Sequence, residues 1–468
     1  MYEDICFADA VQLARQIRTK TVSPLEVIKA HLGRIEAINP KINAIVTVAD
    51  DVMEKAQAAE AAVMSGGKLG PLHGVPFTCK DVFDIAGVRT TRGSKLFEHR
   101  IATTDATVAA RLKQAGAIFL AKTNVPEFAL WWETDNLVFG RTNNPWNPER
   151  TAGGSSGGEA AAIASGLSPL GIGSDLGGSI RVPAHHCGIV GFKPTHGRVP
   201  LTGHWPEVIL RAMHLGPMAR TVNDVALALN LIAGPDGIDP YAMPVPLPEV
   251  PDPNAPLPKL RIGWTAEHGF APVSPEVQRV VEKAAVSLAA LGCEVESVSL
   301  DTLIQNDSQA ISARIWTIEG GFHFEPLIAG HESELYPILH KRLTAPWPEQ
   351  RVYLKALADW ETLKRDMVSY FRNYDLFICP TSPVAASPHC LPELTIDGKT
   401  VMGRHQLATT LPWDLTGSPA ISIPFGQSSD GLPLGVQIVG RHFEDSTVLK
   451  VAMALEKLTD VNQQHPPI

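Results

Sequence analysis

The chain has 468 residues, 44% hydrophobic and 19% charged, proportions that fit an ordinary soluble globular protein able to bury a large core. Its 40 Lys and Arg against 49 Asp and Glu leave a net charge of −9, which gives no basic footprint and argues against a nucleic-acid partner. No run of about 18 apolar residues occurs, so no membrane-spanning helix is expected, and the acidic start Met-Tyr-Glu-Asp-Ile-Cys has neither the basic nor the apolar region of a signal peptide.

Cys6, Cys79, Cys187, Cys293, Cys379 and Cys390 are scattered and form no C-x-x-C pair. A zinc site or disulfide framework is therefore not expected, and the compartment that suits such cysteines is the reducing cytoplasm. Length alone allows two or three domains.

Residues 9–20 carry apolar side chains at helical spacing. Ser23-Pro24-Leu25-Glu26 is a capping box with proline at the first helical position. The helix it starts, 24–38, places Leu25, Ile28, Leu32 and Ile35 on one face. A strand over 42–48 and a helix over 50–64 follow. Next, a short and nearly apolar strand, 75–79, delivers Lys80. Burying an ammonium is costly, so desolvation lowers a lysine pKa and leaves a base that is neutral near pH 7. The plainer reading is a surface lysine paired with Asp81 or Asp84.

Residues 105–115 read as a helix and 117–121 as a strand, with Lys122 and Asn124 at its end. Lys122 is thus a rival base, although its polar flank suits a structural hydrogen-bonding role. Trp131 and Trp132 are adjacent. On a regular element they point different ways, so one packs in the core and the other lines a cavity, or both pack in the core.

The segment 153–179 holds two glycine-flanked serine sites, Ser155/Ser156 and Ser179. Glycine lets backbone N–H groups approach a ligand closely. A serine among such amides can attack a carbonyl while they receive the oxyanion. Residues 159–165 read as a short helix and 167–172 as a buried strand, an arrangement that sets both serine sites on one side of the unit, facing a shared cavity. Gly154-Ser-Ser-Gly-Gly158 fits G-x-S-x-G, but the turn-rich residues before it supply no strand for a nucleophile elbow. Neither a P-loop nor a G-x-G-x-x-G fingerprint is present, and no cofactor is implied. Tight helix–sheet packing is the remaining plain reading of the glycines.

Beyond the serines, His185 and His186 are adjacent and not at metal-ligand spacing, so no metal site is expected. A helix over 221–233 precedes a proline-rich surface connection, 234–259. Strand 260–264, helix 275–291 and strand 293–298 form a β–α–β unit, which implies a sheet with helices on its faces. Residues 301–348 are ambiguous, mostly helical with loops. Residues 349–374 are helical, 376–379, 420–424 and 435–439 are strands, and 445–458 is a last helix.

Lys80 in its Gly-Val-Pro-Phe-Thr-Cys-Lys-Asp setting, G-G-S-S-G-G at 153–158, D-L-G-G-S-I-R at 175–181 and Cys187-Gly-Ile-Val-Gly-Phe-Lys-Pro-Thr195 together resemble the amidase signature family. So does the run from Leu415 to Gly426, and the resemblance covers nearly the whole chain. It implies an α/β fold: a single α/β/α domain spanning 1–468, with a mixed, twisted central β-sheet flanked by helices. It also implies a Ser–cis-Ser–Lys triad. Ser179 would be the nucleophile, Ser155, beside a cis peptide, the bridge, and Lys80 the base. Amides of Leu176, Gly177, Gly178 and Ser179 would form the oxyanion hole, with Ser156, Asp175 and Arg181 supporting the loop.

The implied activity is hydrolysis of an amide carbon–nitrogen bond through a serine acyl-enzyme. The serine region is most similar to fatty acid amide hydrolases and broad bacterial amidases. Trp131 and Trp132 suggest an apolar or aryl amide. The alternatives are urea-like compounds and carbamates, or glutamine, as in the glutamine-hydrolysing component of a tRNA amidotransferase. The last requires a charged recognition site, for which residues 300–350 give no sequence signal. The expected partner is a small-molecule amide, and the resemblance suggests a homodimer.

Overall fold

The computed structural model describes residues 2–270 and 272–468. Its strands are, in chain order, β1 (Ile45–Val48), β2 (Pro76–Lys80), β3 (Ile118–Thr123), β4 (Leu170–Asp175), β5 (Val190–Lys193), β6 (His214–Ala219), β7 (Arg261–Trp264), β8 (Glu294–Ser297), β9 (Leu376–Pro380), β10 (Glu393–Ile396), β11 (Lys399–Met402), β12 (Ala420–Gln427) and β13 (Pro433–Gly440). Among the described residues, all but the β10–β11 hairpin form an 11-stranded sheet in the order β1-β3-β2-β4-β6-β5-β12-β13-β9-β7-β8.

The sheet is mixed. The β2–β3, β2–β4, β7–β8 and β7–β9 pairs are parallel, and the β4–β6, β5–β12 and β12–β13 pairs antiparallel. Every residue of β2, β3, β4 and β6 is buried, because helices cover both faces, and such strands read as continuous apolar or small-residue runs rather than as alternation. This is the α/β class with a central mixed sheet flanked by helices.

Local chemistry sets the element ends. Ser23 Oγ accepts from the Glu26 amide at 3.1 Å and Glu26 Oε2 accepts from the Ser23 amide at 2.8 Å, the reciprocal cap expected there. The helix Pro24–Ile42 runs beyond residue 38 because Asn39 Oδ1 receives the amides of Ala44 and Ile45 at 2.9 and 2.8 Å and so terminates it only at Asn43. The strand expected from residue 42 accordingly begins at Ile45. The β–α–β unit is present as β7, helix Pro275–Ala290 and β8.

The ambiguous stretch resolves into helices Asp301–Gln305, Ser308–Ile315, Gly321–Ile328 and Pro337–Leu343. A wide π-turn, Trp316–Gly320, joins the second to the third. Residues 234–259 carry no helix or strand. They are pinned to the body by Arg198 Nη1 donating to the Pro246 carbonyl and Lys457 Nζ donating to that of Pro253, each at 2.5 Å. No described helix is long and apolar enough to cross a membrane.

The sheet order places β2 beside β4, and with it the residues that follow each strand. The helix Gly157–Ala164 packs against this pair, which brings the turn at its N-terminus over the C-terminal end of β4.

Candidate active site

Lys80 ends β2 and is completely buried. Its Nζ stands 2.6 Å from Ser155 Oγ and 3.0 Å from Ser174 Oγ. The plainer reading, a surface pair with Asp81 or Asp84, is excluded by where those carboxylates go. Asp81 Oδ2 accepts from Thr91 Oγ1 at 2.6 Å, and Asp84 binds Arg100 through both oxygens, at 2.7 and 2.6 Å. Burial is the main influence on Lys80, opposed by the charge of Asp175 and, when it is ionised, that of Glu159, and it lowers the lysine to about 7. The rival, Lys122, is buried, donates to the Phe83 carbonyl and lies 3.9 Å from Asp81 Oδ1, partners that give it a structural role.

Ser155 follows Gly154 through a cis peptide bond, the feature the resemblance implied. Ser156 ties the serine segments together: its amide donates to the Ser179 carbonyl at 3.2 Å, and its Oγ lies 3.4 Å from the Ser174 carbonyl. Ser155, Ser174, Leu176, Gly177 and Ser179 line one cavity of about 480 Å³. The expectation that both serine sites face a shared cavity therefore matches the geometry.

The turn after β4 is shaped by Asp175 and Arg181, both fully buried. Asp175 Oδ1 accepts the Gly178 amide at 2.5 Å and Oδ2 accepts that of Ile180 at 3.1 Å. Burial alone would raise this carboxyl, but the Arg181 guanidinium beside it outweighs burial and holds it well below the usual carboxylate range. Arg181 in turn donates to Asp175, to Asp414 Oδ2 at 2.6 Å, to Gln437 Oε1 at 2.8 Å and to the Thr410 carbonyl at 3.0 Å. Gly178 has φ +123°, and a side chain there would collide with the Thr410 hydroxyl, so only glycine fits. Because the Gly178 N–H is engaged by Asp175, this residue is turned off the cavity wall, whereas Leu176, Gly177 and Ser179 stay on it.

Trp131 and Trp132 do not diverge as expected on a regular element. They lie outside helix and strand, stack with ring centroids 3.6 Å apart, and both line the cavity. His185 and His186 are buried inside helix Arg181–Cys187, where His185 Nδ1 accepts from the Gly435 amide at 2.8 Å. Cys79 and Cys187 are buried, and loss of solvent pushes both thiols up, away from reactivity.

Several site residues escaped the sequence reading. Ser174 is one, although Thr78–Gly171 and Cys79–Ile172 pairing in the β2–β4 ladder carries it next to Lys80. Glu159 is another: fully buried, it accepts from the hydroxyls of Thr78 and Thr123, the latter at 2.8 Å, and burial raises it to about 8. The absence of a charged site in residues 300–350 is also corrected. Lys341 and Arg342, from helix Pro337–Leu343, line the cavity, as does Arg404. Arg342 is exposed as a residue, yet its guanidinium donates to the Leu130 carbonyl at 3.1 Å and lies 5.2 Å from the Trp316 ring centre. These charges follow a chain segment whose position over the cavity depends on tertiary packing, which local sequence does not encode.

The chain is similar to known proteins over nearly its whole length. A family model described as Amidase matches residues 26–449. The chain is 36% identical to a glutamyl-tRNA(Gln) amidotransferase subunit from Thermosynechococcus vestitus, over 98% of this chain and 99% of that protein. It is 35% identical to an acylamidase of Rhodococcus erythropolis, over 97% of this chain and 96% of that one. The structure of a bacterial aryl acylamidase superimposes with a TM-score of 0.89 at 29% identity, covering 98% of this chain and 99% of the other.

Proposed function

The chain belongs to the amidase signature family and is an amide-hydrolysing enzyme, and on that premise we propose that Ser179 is its nucleophile, Ser155 the proton bridge and Lys80 the base. The observation that carries this reading is the buried Lys80 amine, 2.6 Å from the Oγ of Ser155, a serine that lines the same cavity as Ser179.

The neutral Lys80 amine takes the Ser155 hydroxyl proton as Ser155 takes that of Ser179, so the Ser179 oxygen becomes nucleophilic when it meets the carbonyl carbon. The tetrahedral oxyanion is received by amides of Leu176, Gly177 and Ser179, while Gly178 holds the turn through Asp175. Collapse breaks the carbon–nitrogen bond. The leaving nitrogen takes the proton that Ser155 returns, and Lys80 becomes neutral again through Ser155. Water then attacks the acyl-enzyme along the same proton path and releases the carboxylic acid. Ser156 and Arg181 hold the two loops in register, and Ser174 orients the Lys80 amine. Trp131 and Trp132 pack against an apolar or aryl part of the substrate.

The amidotransferase relatives at 36% identity bring a second reading, glutamine hydrolysis beside a partner protein. Against it stands the cavity wall, which among the described residues carries no Asp or Glu to receive the α-ammonium of glutamine. We also propose that residues 1–468 form a single domain, since one sheet is built from strands between residues 45 and 440. A homodimer is the state the resemblance implies, and sedimentation of the purified chain checks it. A cytoplasmic location agrees with the free thiols of Cys79, Cys187, Cys293, Cys379 and Cys390.

The test is a hydrolysis screen over anilides, aliphatic amides, ureas, carbamates and glutamine. Turnover of apolar amides or anilides ahead of glutamine is expected. Glutamine as the preferred substrate would replace the first reading with the second.

A further inference from the structure

The cavity has a charge pattern that the proposed hydrolysis does not use. Its body is apolar, with Trp131, Trp132 and Trp316 on the wall, and its cations are Lys341, Arg342 and Arg404. Among the described residues, no acidic one lines it. Among the described residues, none of these cations has a carboxylate within ion-pair distance, whereas nearby Arg211 pairs with Glu319 through both oxygens and Arg141 lies 3.5 Å from Asp135.

A cation in the last turn of a helix is favoured by the helix dipole, which accounts for the placement of Lys341 and Arg342 on Pro337–Leu343. It does not account for Arg404, which arrives from a separate turn, Gly403–Leu407, and whose charge bears on Arg342. Like charges brought to one wall repel, and an anion placed between them relieves that repulsion. The Arg342 fork is also pre-positioned, by the Leu130 carbonyl and the face of Trp316.

We infer that the substrate is an amide with an apolar body and a carboxylate remote from the scissile bond, the carboxylate being held by Arg342 and Arg404 while the body lies against the tryptophans. This rests on amide hydrolysis at Ser179. A free α-amino-acid amide fits poorly, because its ammonium would meet only cations.

The test uses the full-length enzyme and matched pairs. Glutaric acid mono-para-nitroanilide against its methyl ester puts the carboxylate on the acyl side, and para-acetamidobenzoate against its methyl ester puts it on the amine side. One acid is expected to exceed its ester in kcat/KM by about tenfold or more, mainly through KM, as a charge-assisted hydrogen bond provides. Arg342→Gln and Arg404→Gln should each move that ratio toward one, and Arg342→Lys should retain part of it. A ratio does not depend on the folded fraction, so loss of stability cannot imitate the result. Esters cleaved as well as or better than both acids would overturn the inference and leave amide hydrolysis standing. Fluorophosphonate labelling of Ser179 without turnover of either acid would overturn it too. Absence of both labelling and turnover would remove the hydrolytic reading on which it depends.

Discussion

Lys80 Nζ lies 2.6 Å from Ser155 Oγ, and among the described residues no carboxylate lies within ion-pair distance of that nitrogen. A lysine so placed is not stabilised as an ammonium; burial lowers it to about 7. Below that pH the amine is protonated and cannot accept the Ser155 proton. The rate of acylation is therefore expected to rise as pH increases through about 7 and then level off. Pre-steady-state acylation rates across the range check this; a rate independent of pH would contradict it.

Removing members of the relay should grade by role. Ser179→Ala is expected to abolish turnover with the fold intact by circular dichroism. Lys80→Ala and Ser155→Ala should each lower kcat by about 10²–10⁴, the range for a positioned proton-transfer group. Ser174→Ala should cost less than either, since Ser155 still holds the amine.

The Arg181 network makes a different prediction, in stability. Replacing Arg181 by Met leaves the buried carboxyls of Asp175 and Asp414 without their shared cation. Breaking a buried pair in this way costs about 3–5 kcal/mol, which denaturant unfolding can read. Activity should fall further than stability alone explains, because the Gly178 and Ile180 amides lose the fixed carboxylate that shapes their turn.

Glu159 and Gly171 form a further test. A Cβ at residue 171 would occupy the space of the Glu159 carboxyl. Gly171→Ala is therefore expected to destabilise by about 1–3 kcal/mol, the usual cost of overpacking. Glu159 is raised to about 8, by burial first, with the Thr78 and Thr123 hydroxyls opposing. It is thus mostly uncharged at pH 7, and Glu159→Gln should leave the acid limb of the rate profile nearly unmoved. A shift of that limb would show that the carboxylate charge acts on Lys80.

What the sequence made legible follows from how local each signal is. The capping box at Ser23 and Glu26, the lysine closing an apolar run and the glycine-flanked serines each announce themselves within a few residues. The β–α–β unit was legible because its helix is amphipathic over 16 residues. By contrast, β5, β6 and the helices Arg181–Cys187 and Leu411–Thr416 are short and buried on all sides, so they carry no periodicity. Ser174, Asp414 and Arg404 acquire their roles from strand pairing and long-range packing. The stacking of Trp131 on Trp132 depends on an irregular segment that no repeat describes.

The most direct measurement is the site and rate of fluorophosphonate labelling as a function of pH, read by intact mass and peptide mapping, in the native enzyme and in Lys80→Ala. The account predicts one adduct, on Ser179, formed faster as pH rises through about 7 and nearly lost without the lysine. An adduct on another serine, or undiminished labelling of Lys80→Ala, would contradict it.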